Sequence, residues 1–266
     1  IEGYGIIVNN KIMQSYFDSD SPKATSLDEI KSFDKLKEVV EDMQSKAEAI
    51  GIQGVFAATS LKPGEDWRWQ THLMNVPMYY EWNTDNVDLS DPASIAEIKF
   101  SYSDNFKNIF DLYLNNSTVA PTLVGSKTVD DSMAGFARGQ AAMVQNGNWA
   151  YGQVADTDGN VVTADDVRFL PIYIGVDGEE KQGPCIGTEN FFCINKNASE
   201  ADRQASLDFL SWLYTSDEGK AHETNDLGFI APFDTFTEAD MPADPLGQQV
   251  MQWSSNAGVS NVPWNF

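Results

Sequence analysis

The chain has 266 residues, 42% of them hydrophobic, and carries 40 acidic against 17 basic side chains, a formal net charge of −23. That length and apolar content suit a globular protein of one large or two smaller domains. The charge excludes a nucleic-acid partner, which needs clustered Lys and Arg to meet phosphates. It also opposes adsorption to an anionic membrane, and no apolar run reaches the ~18 residues that would insert in one.

In chain order, residues 1–11 (Ile-Glu-Gly-Tyr-Gly-Ile-Ile-Val-Asn-Asn-Lys) read as an extended segment entering an apolar strand. Ser26-Leu-Asp-Glu29 has the spacing of a capping box. Ile30, Phe33, Leu36, Val40, Met43, Ala47 and Ile50 then recur at helical spacing, and Gly51 ends the stripe. Residues 54–58 predict a short strand. After it, Pro63-Gly-Glu-Asp-Trp-Arg-Trp-Gln70 gathers carboxylates, tryptophans and an arginine. Residues 104–116 predict a second amphipathic helix, with Phe106, Ile109, Phe110, Tyr113 and Leu114 on one side.

Gly135-Phe-Ala-Arg-Gly-Gln-Ala-Ala-Met-Val-Gln-Asn-Gly-Asn-Trp149 reads as a helix end, a turn, a buried strand and a tryptophan at its exit. The helix stops near Arg138 with Gly139 in the left-handed conformation, and residues 141–144 suit a strand covered on both faces. Ligands of α/β sheets sit beyond the carboxyl ends of strands, so Trp149 is either a ligand platform or a core residue. Asp156-Thr-Asp-Gly-Asn160 has the start of a calcium loop, but Val161 and Val167 stand where glycine and glutamate are needed, so it reads as an Asp-Gly turn.

Residues 167–174 and 186–194 predict two more strands, the first broken by Pro171. Cys185 and Cys193, on one strand, would stand ~26 Å apart at ~3.3 Å per residue, beyond the ~7 Å reach of a disulfide. Buried free thiols are expected. Ser199 starts a helix with Ala205, Phe209, Leu210 and Leu213 as its buried face, and Ser216 starts a short one. Residues 234–245 are an acidic surface connection. Helices alternating with strands imply α/β layers with largely parallel pairing.

Phe136, Gly139, Ala141, Ala142, Met143, Gly147 and Trp149 fill a pattern, F-x-x-G-x-A-A-M-x-x-x-G-x-W. On it the chain resembles the extracellular solute-binding proteins of ABC importers, in their sugar-binding family 1. The resemblance implies a periplasmic-binding-protein-like type II α/β fold of two lobes joined by crossing strands, with mainly the C-terminal lobe present. Residues 1–8 would be the first crossing, 9–181 the C-terminal lobe, and 182–187 the second crossing. Residues 188–228 would be a segment of the N-terminal lobe, 229–232 the third crossing, and 233–266 C-terminal lobe again. A segment of about 40 residues builds no core of its own, so residues 188–228 are expected to pack against polypeptide outside this chain.

The resemblance also implies ligand contacts at Glu2, at Glu65, Asp66 and Trp67, at Asn148 and Trp149, at Thr188 and Glu189 in the second crossing, and at Trp264. Sugars have apolar ring faces and hydroxyl rims, which flat aromatics and fixed polar side chains meet. Two readings are open for several of these: Trp67 and Trp69 also suit a packed helix start, and Glu2 suits a buried hinge carboxylate. The implied function is oligosaccharide binding by hinge closure, as the extracytoplasmic substrate-binding component of an ABC importer that docks its permease. No catalysis, cofactor or metal is implied. The alternatives are a non-sugar solute (polyamine, peptide or metal) on the same fold, and a glycan-adhesion module. A glycosidase would need two carboxyls ~5–9.5 Å apart, and nothing marks such a pair.

Overall fold

The computed structural model describes residues 1–91, 93–95, 97–188 and 191–263, with only the backbone of Glu238. Its sheet has six strands among these residues: β1 (Glu2–Asn9), β2 (Gly54–Phe56), β3 (Ala141–Gly147), β4 (Val167–Leu170), β5 (Gln182–Gly187) and β6 (Ser260–Pro263). The order is β2-β3-β1-β5-β6, and β4 also pairs with β1. Strand β1 is apolar between Glu2 and Asn9 and is buried on both faces, as a central strand must be. Tyr4, Ile6 and Val8 point to one side and Ile7 to the other.

The expected largely parallel pairing fails at β1 and holds only for the pairs on either side of it. β2 joins β3 and β5 joins β6 in parallel, but β1 runs antiparallel to β3, β4 and β5. Apolar patterning tells which residues are buried and carries no information on strand direction.

One face of the sheet is covered by α1 (Asn10–Phe17), α2 (Phe33–Ser45), α3 (Ala47–Ile50), α4 (Leu73–Asp85) and α5 (Ser103–Asn115). Leu36, Val39, Val40 and Met43 of α2 and Ile109, Leu112 and Tyr113 of α5 are buried there, each apolar side chain contributing about 1.5–3 kcal/mol by transfer out of water. The other face holds α6 (Val129–Ala137) and α7 (Ala150–Ala155), and later α10 (Pro245–Ser255), through Phe136, Val154 and Val250 among others.

Helix α2 starts later than the capping-box spacing predicts. Ser26 caps nothing with its side chain, and Glu29 instead accepts from the Thr25 amide and hydroxyl. Ser32 caps α2 through the Lys35 amide at 3.2 Å. Ile30 is buried all the same, from a non-helical turn. Gly51 closes the stripe with φ +87°, as expected.

Beyond β5 the chain forms α8 (Glu200–Thr215), capped by Ser199, and α9 (Asp217–Ala221), capped by Ser216. The expected buried face of α8 is largely open: Leu213 is buried and Leu210 half-buried, but Ala205 and Phe209 are exposed. Phe191 is 77% exposed. No described element lies over this face to bury it. The strand predicted over 186–194 is instead β5, ending at Gly187. Cys185 is buried on it, and burial pushes its thiol up to about 12. Cys193, expected to be buried, is exposed because it lies in the open segment past the strand; both thiols are free.

Candidate functional site

The carboxyl ends of β3, β5 and β6 and the amino end of β1 meet at one edge of the molecule, because β1 runs against its neighbours. Glu2 pairs with Gly187, and the Ile1 amine donates to the Ile230 carbonyl. The three segments expected to be crossings therefore lie side by side.

Helix α6 ends as the sequence predicts, with Arg138 as cap and Gly139 at φ +70°. Every residue of β3 is buried. At its exit the Asn148 side chain accepts the Gly3 amide at 2.8 Å, and the Asn148 amide donates to the Gly3 carbonyl at 2.9 Å. This reciprocal clamp fixes the start of α7, where Trp149 stands half-buried. Its ring lies on Gly147, where a Cβ would come within 2.2 Å of it.

Past β2, the Thr59 hydroxyl bonds the Gln145 carbonyl at 3.2 Å, tying the following loop to β3. The loop enters a single wide π-turn, Arg68–His72, in which the Leu73 amide donates to the Arg68 carbonyl. Such turns change which side chains share a face. Trp69 goes to the core, 2% exposed, with its indole N–H on the Thr59 carbonyl at 2.8 Å. Trp67 stays 38% exposed and tilts toward Trp149, ring centroids 6.4 Å apart. One tryptophan of the Trp-x-Trp pair is structural and the other is presented outward.

Below the two indoles, the His72 ring stacks on Tyr4 at 3.8 Å and meets Trp67 edge-on at 4.9 Å. The Gln145 amide nitrogen lies 2.9 Å from His72 Nδ1, which must accept, so the ring is the neutral Nε2–H form. Burial, with the nearby Arg68 charge, pushes its pKa down to about 3. Arg68 is 6% exposed, with its guanidinium 4.0 Å from the Trp67 ring centroid and its Nε on Asn146 Oδ1 at 3.1 Å. Burial lowers its pKa to about 10.

The remaining expected residues are distributed as follows. Glu65 accepts the Val129 amide at 2.7 Å at the start of α6 and pairs with Lys62 at 3.2 Å. That amide contact first, and Lys62 after it, holds its carboxyl below the ordinary value. Asp66 accepts from the Gln70 side chain at 2.7 Å. Glu2 and Thr188 line a different cavity of about 470 Å³ with Phe191, Phe192, Tyr214 and Phe229; neither Trp67 nor Trp149 lines it. Glu189 and Trp264 lie outside the described residues. Asp156 to Asn160 form a turn with Gly159 at φ +78°. The roles of Arg68, His72 and Asn146 are not legible in the sequence: only the π-turn and the pairing of distant strands bring them under the indoles.

The chain belongs to the family of bacterial extracellular solute-binding proteins, whose sequence model matches residues 1–247. Among solved structures it is similar to a chitin oligosaccharide binding protein (17% identity, TM-score 0.66, 99% of this chain and 60% of that one). It is also similar to a probable secreted solute-binding lipoprotein from Streptomyces coelicolor (16%, TM-score 0.60, 99% and 59%). A third is a maltose-bound protein of T. maritima (14%, TM-score 0.58, 99% and 61%). At these identities the likeness establishes the fold. The chain spans about 60% of the length of the structures it matches. No curated protein matches it in sequence. The family and these neighbours are binding proteins. Among the described residues no helix is long and apolar enough to cross a membrane.

Proposed function

We propose that the chain forms the C-terminal-lobe side of a saccharide-binding cleft, in the substrate-binding component of an ABC importer. The observation that carries this reading is the Trp67–Trp149 pair: two indoles, one 38% exposed, tilted toward each other at 34° beyond the carboxyl end of β3. Flat apolar faces beside fixed amides suit the alternating faces and rims of sugar rings. The names of the similar structures, which include binders of chitin oligosaccharide, maltose and raffinose, agree with it.

Residues 188–228 belong, in this reading, to an opposing lobe. The open apolar face of α8 and the 77% exposure of Phe191 support that, since such a surface is stable only when covered. Closure then works by differential contact: a sugar touching both lobes favours the closed state, and the closed form docks the permease outside the cell. The adjoining β1, β5 and Ile230 segments are the hinge. The chain acts by binding and performs no catalysis. A polyamine is disfavoured as the ligand, because Arg68 would repel it.

Calorimetric titration of the full-length protein with a panel of neutral and acidic oligosaccharides tests the proposal. Heat with one of them, lost on Trp149→Ala, is expected. No heat with any saccharide, but binding of a polyamine, peptide or metal ion, overturns it.

A further inference from the structure

Among the described residues, Arg68 is the one lysine or arginine side chain that is buried, at 6% exposed. With 40 acidic side chains against 17 basic, a cation here has carboxylates in excess. Lys35, Lys37, Lys46, Lys62, Lys99, Lys107 and Lys220 sit in ion pairs, and the cations without one, Arg68 apart, are exposed or half-buried and so solvated. Among the described residues, no carboxylate lies within 4.0 Å of Arg68. The acid bearing on it most, Glu65, is committed to the Val129 amide and to Lys62.

The guanidinium is held in place by neutral groups. Its Nε is on Asn146, and its carbon is over the Trp67 ring. Neither terminal nitrogen has a hydrogen-bond partner among the described residues, yet neither is among the polar atoms sealed from solvent without a partner. What little of Arg68 reaches water therefore includes the donors of its fork, on a guanidinium whose carbon lies 4.0 Å from the Trp67 ring centroid. Burying a guanidinium without a counterion costs free energy. Such an arrangement is retained where something else brings the negative charge.

We propose that the saccharide bound at this site carries a carboxylate, and that the terminal nitrogens of Arg68 receive it. The inference rests on the carbohydrate reading above and narrows it to uronic-acid-containing oligosaccharides. A hexuronate has an apolar ring face and a carboxylate on its rim, which an indole and the guanidinium stacked over it can meet together. The planar fork takes the two oxygens together, with directional, charge-assisted bonds. The net charge of −23 does not oppose this at the site. Charges beyond about 8 Å are largely screened at physiological ionic strength, whereas the Arg68 contact is direct.

The test is calorimetry on the full-length protein with a matched pair: a trisaccharide of hexuronates, and the neutral hexose trisaccharide of the same linkage. The uronate is expected to bind at least about tenfold more tightly, in the range of one charged hydrogen-bonded contact. In Arg68→Gln the preference disappears, because the uronate loses more affinity than the neutral sugar. Equal or tighter binding of the neutral sugar by the wild-type protein overturns the inference and leaves the carbohydrate reading standing. So does an Arg68→Gln variant that weakens both sugars alike, since Arg68 would then only position Trp67. Failure of both sugars to bind overturns this inference, and failure across the whole oligosaccharide panel overturns the carbohydrate reading with it. The wild-type comparison decides even if the variant does not fold.

Discussion

The Trp149 ring lies against Gly147, so close that a Cβ on the glycine would sit 2.2 Å from the indole. The spacing Gly-x-Trp is thus a packing requirement: only a residue without a side chain lets the indole fold back over the strand it has just left. Gly147→Ala is expected to push the ring aside, at a cost of about 1–3 kcal/mol typical of overpacking. Thermal melting should register the loss, and calorimetry should show saccharide affinity falling with it. An alanine variant that binds as tightly as wild type would mean that the ring's seat is unimportant.

Trp67 and Trp69 should separate cleanly. Trp67→Ala removes a side chain that is 38% exposed and is expected to cost affinity with little change in melting temperature. Trp69→Ala empties a site 2% exposed and should destabilise the fold by about 3–5 kcal/mol. Chemical denaturation alongside saccharide titration distinguishes the two. The same pattern for both variants would contradict the division made by the π-turn.

Asn148 links the exit of β3 to the entry of β1 through the Gly3 amide. Asn148→Ala leaves that buried amide without its partner, at a cost of about 1–3 kcal/mol. Hydrogen exchange should show the Gly3 amide losing protection while amides in the middle of β3 keep theirs.

His72 gives a pH signature. Its folded pKa, about 3, lies well below the unfolded value of 6.5, because burial and Arg68 disfavour the charged ring. Above 6.5 the folded state bears no penalty. As pH falls below that value the unfolded chain takes up a proton that the folded chain refuses, and stability is lost progressively toward pH 3. Between about pH 6.5 and about pH 5 this amounts to roughly 2 kcal/mol. His72→Gln should melt lower at neutral pH, but with a shallower decline across that window. Parallel pH profiles for the two proteins would count against a buried neutral ring.

Glu65 has the opposite chemistry and the same sign. Its carboxylate is favoured in the fold by the Val129 amide and Lys62, so its folded pKa lies below the ordinary 4.5. The stabilisation is complete above 4.5 and disappears as pH falls through the lower folded value. Glu65→Gln should therefore melt below wild type at neutral pH, and the gap should close in acid. A gap independent of pH would show that the helix α6 contact does not depend on charge.

Much of the scaffold was legible from local pattern. The stop at Gly139, the sealed β3 and the amphipathic stripes of α2 and α5 depend on neighbours a few residues apart, and the structure has all of them. Where two local signals competed, the pattern misled: Ser26 has a capping-box partner, but helix α2 begins after Ser32, which buries Phe33. The apolar stripe of α8 was legible too, and its meaning was not, since a stripe shows what can be buried without showing what covers it.

The sequence by itself determined the parts: an apolar β1, a glycine-ended helix before β3, and a tryptophan delivered at its exit. These follow from backbone conformation and residue spacing. Only the tertiary structure decided that β1 runs against its neighbours, that Tyr4 stacks beneath His72, and that Arg68 meets Asn146 under an exposed indole. The reason is physical. Those relationships join residues far apart in the chain, and their energies come from burial and pairing that exist only after the sheet has formed.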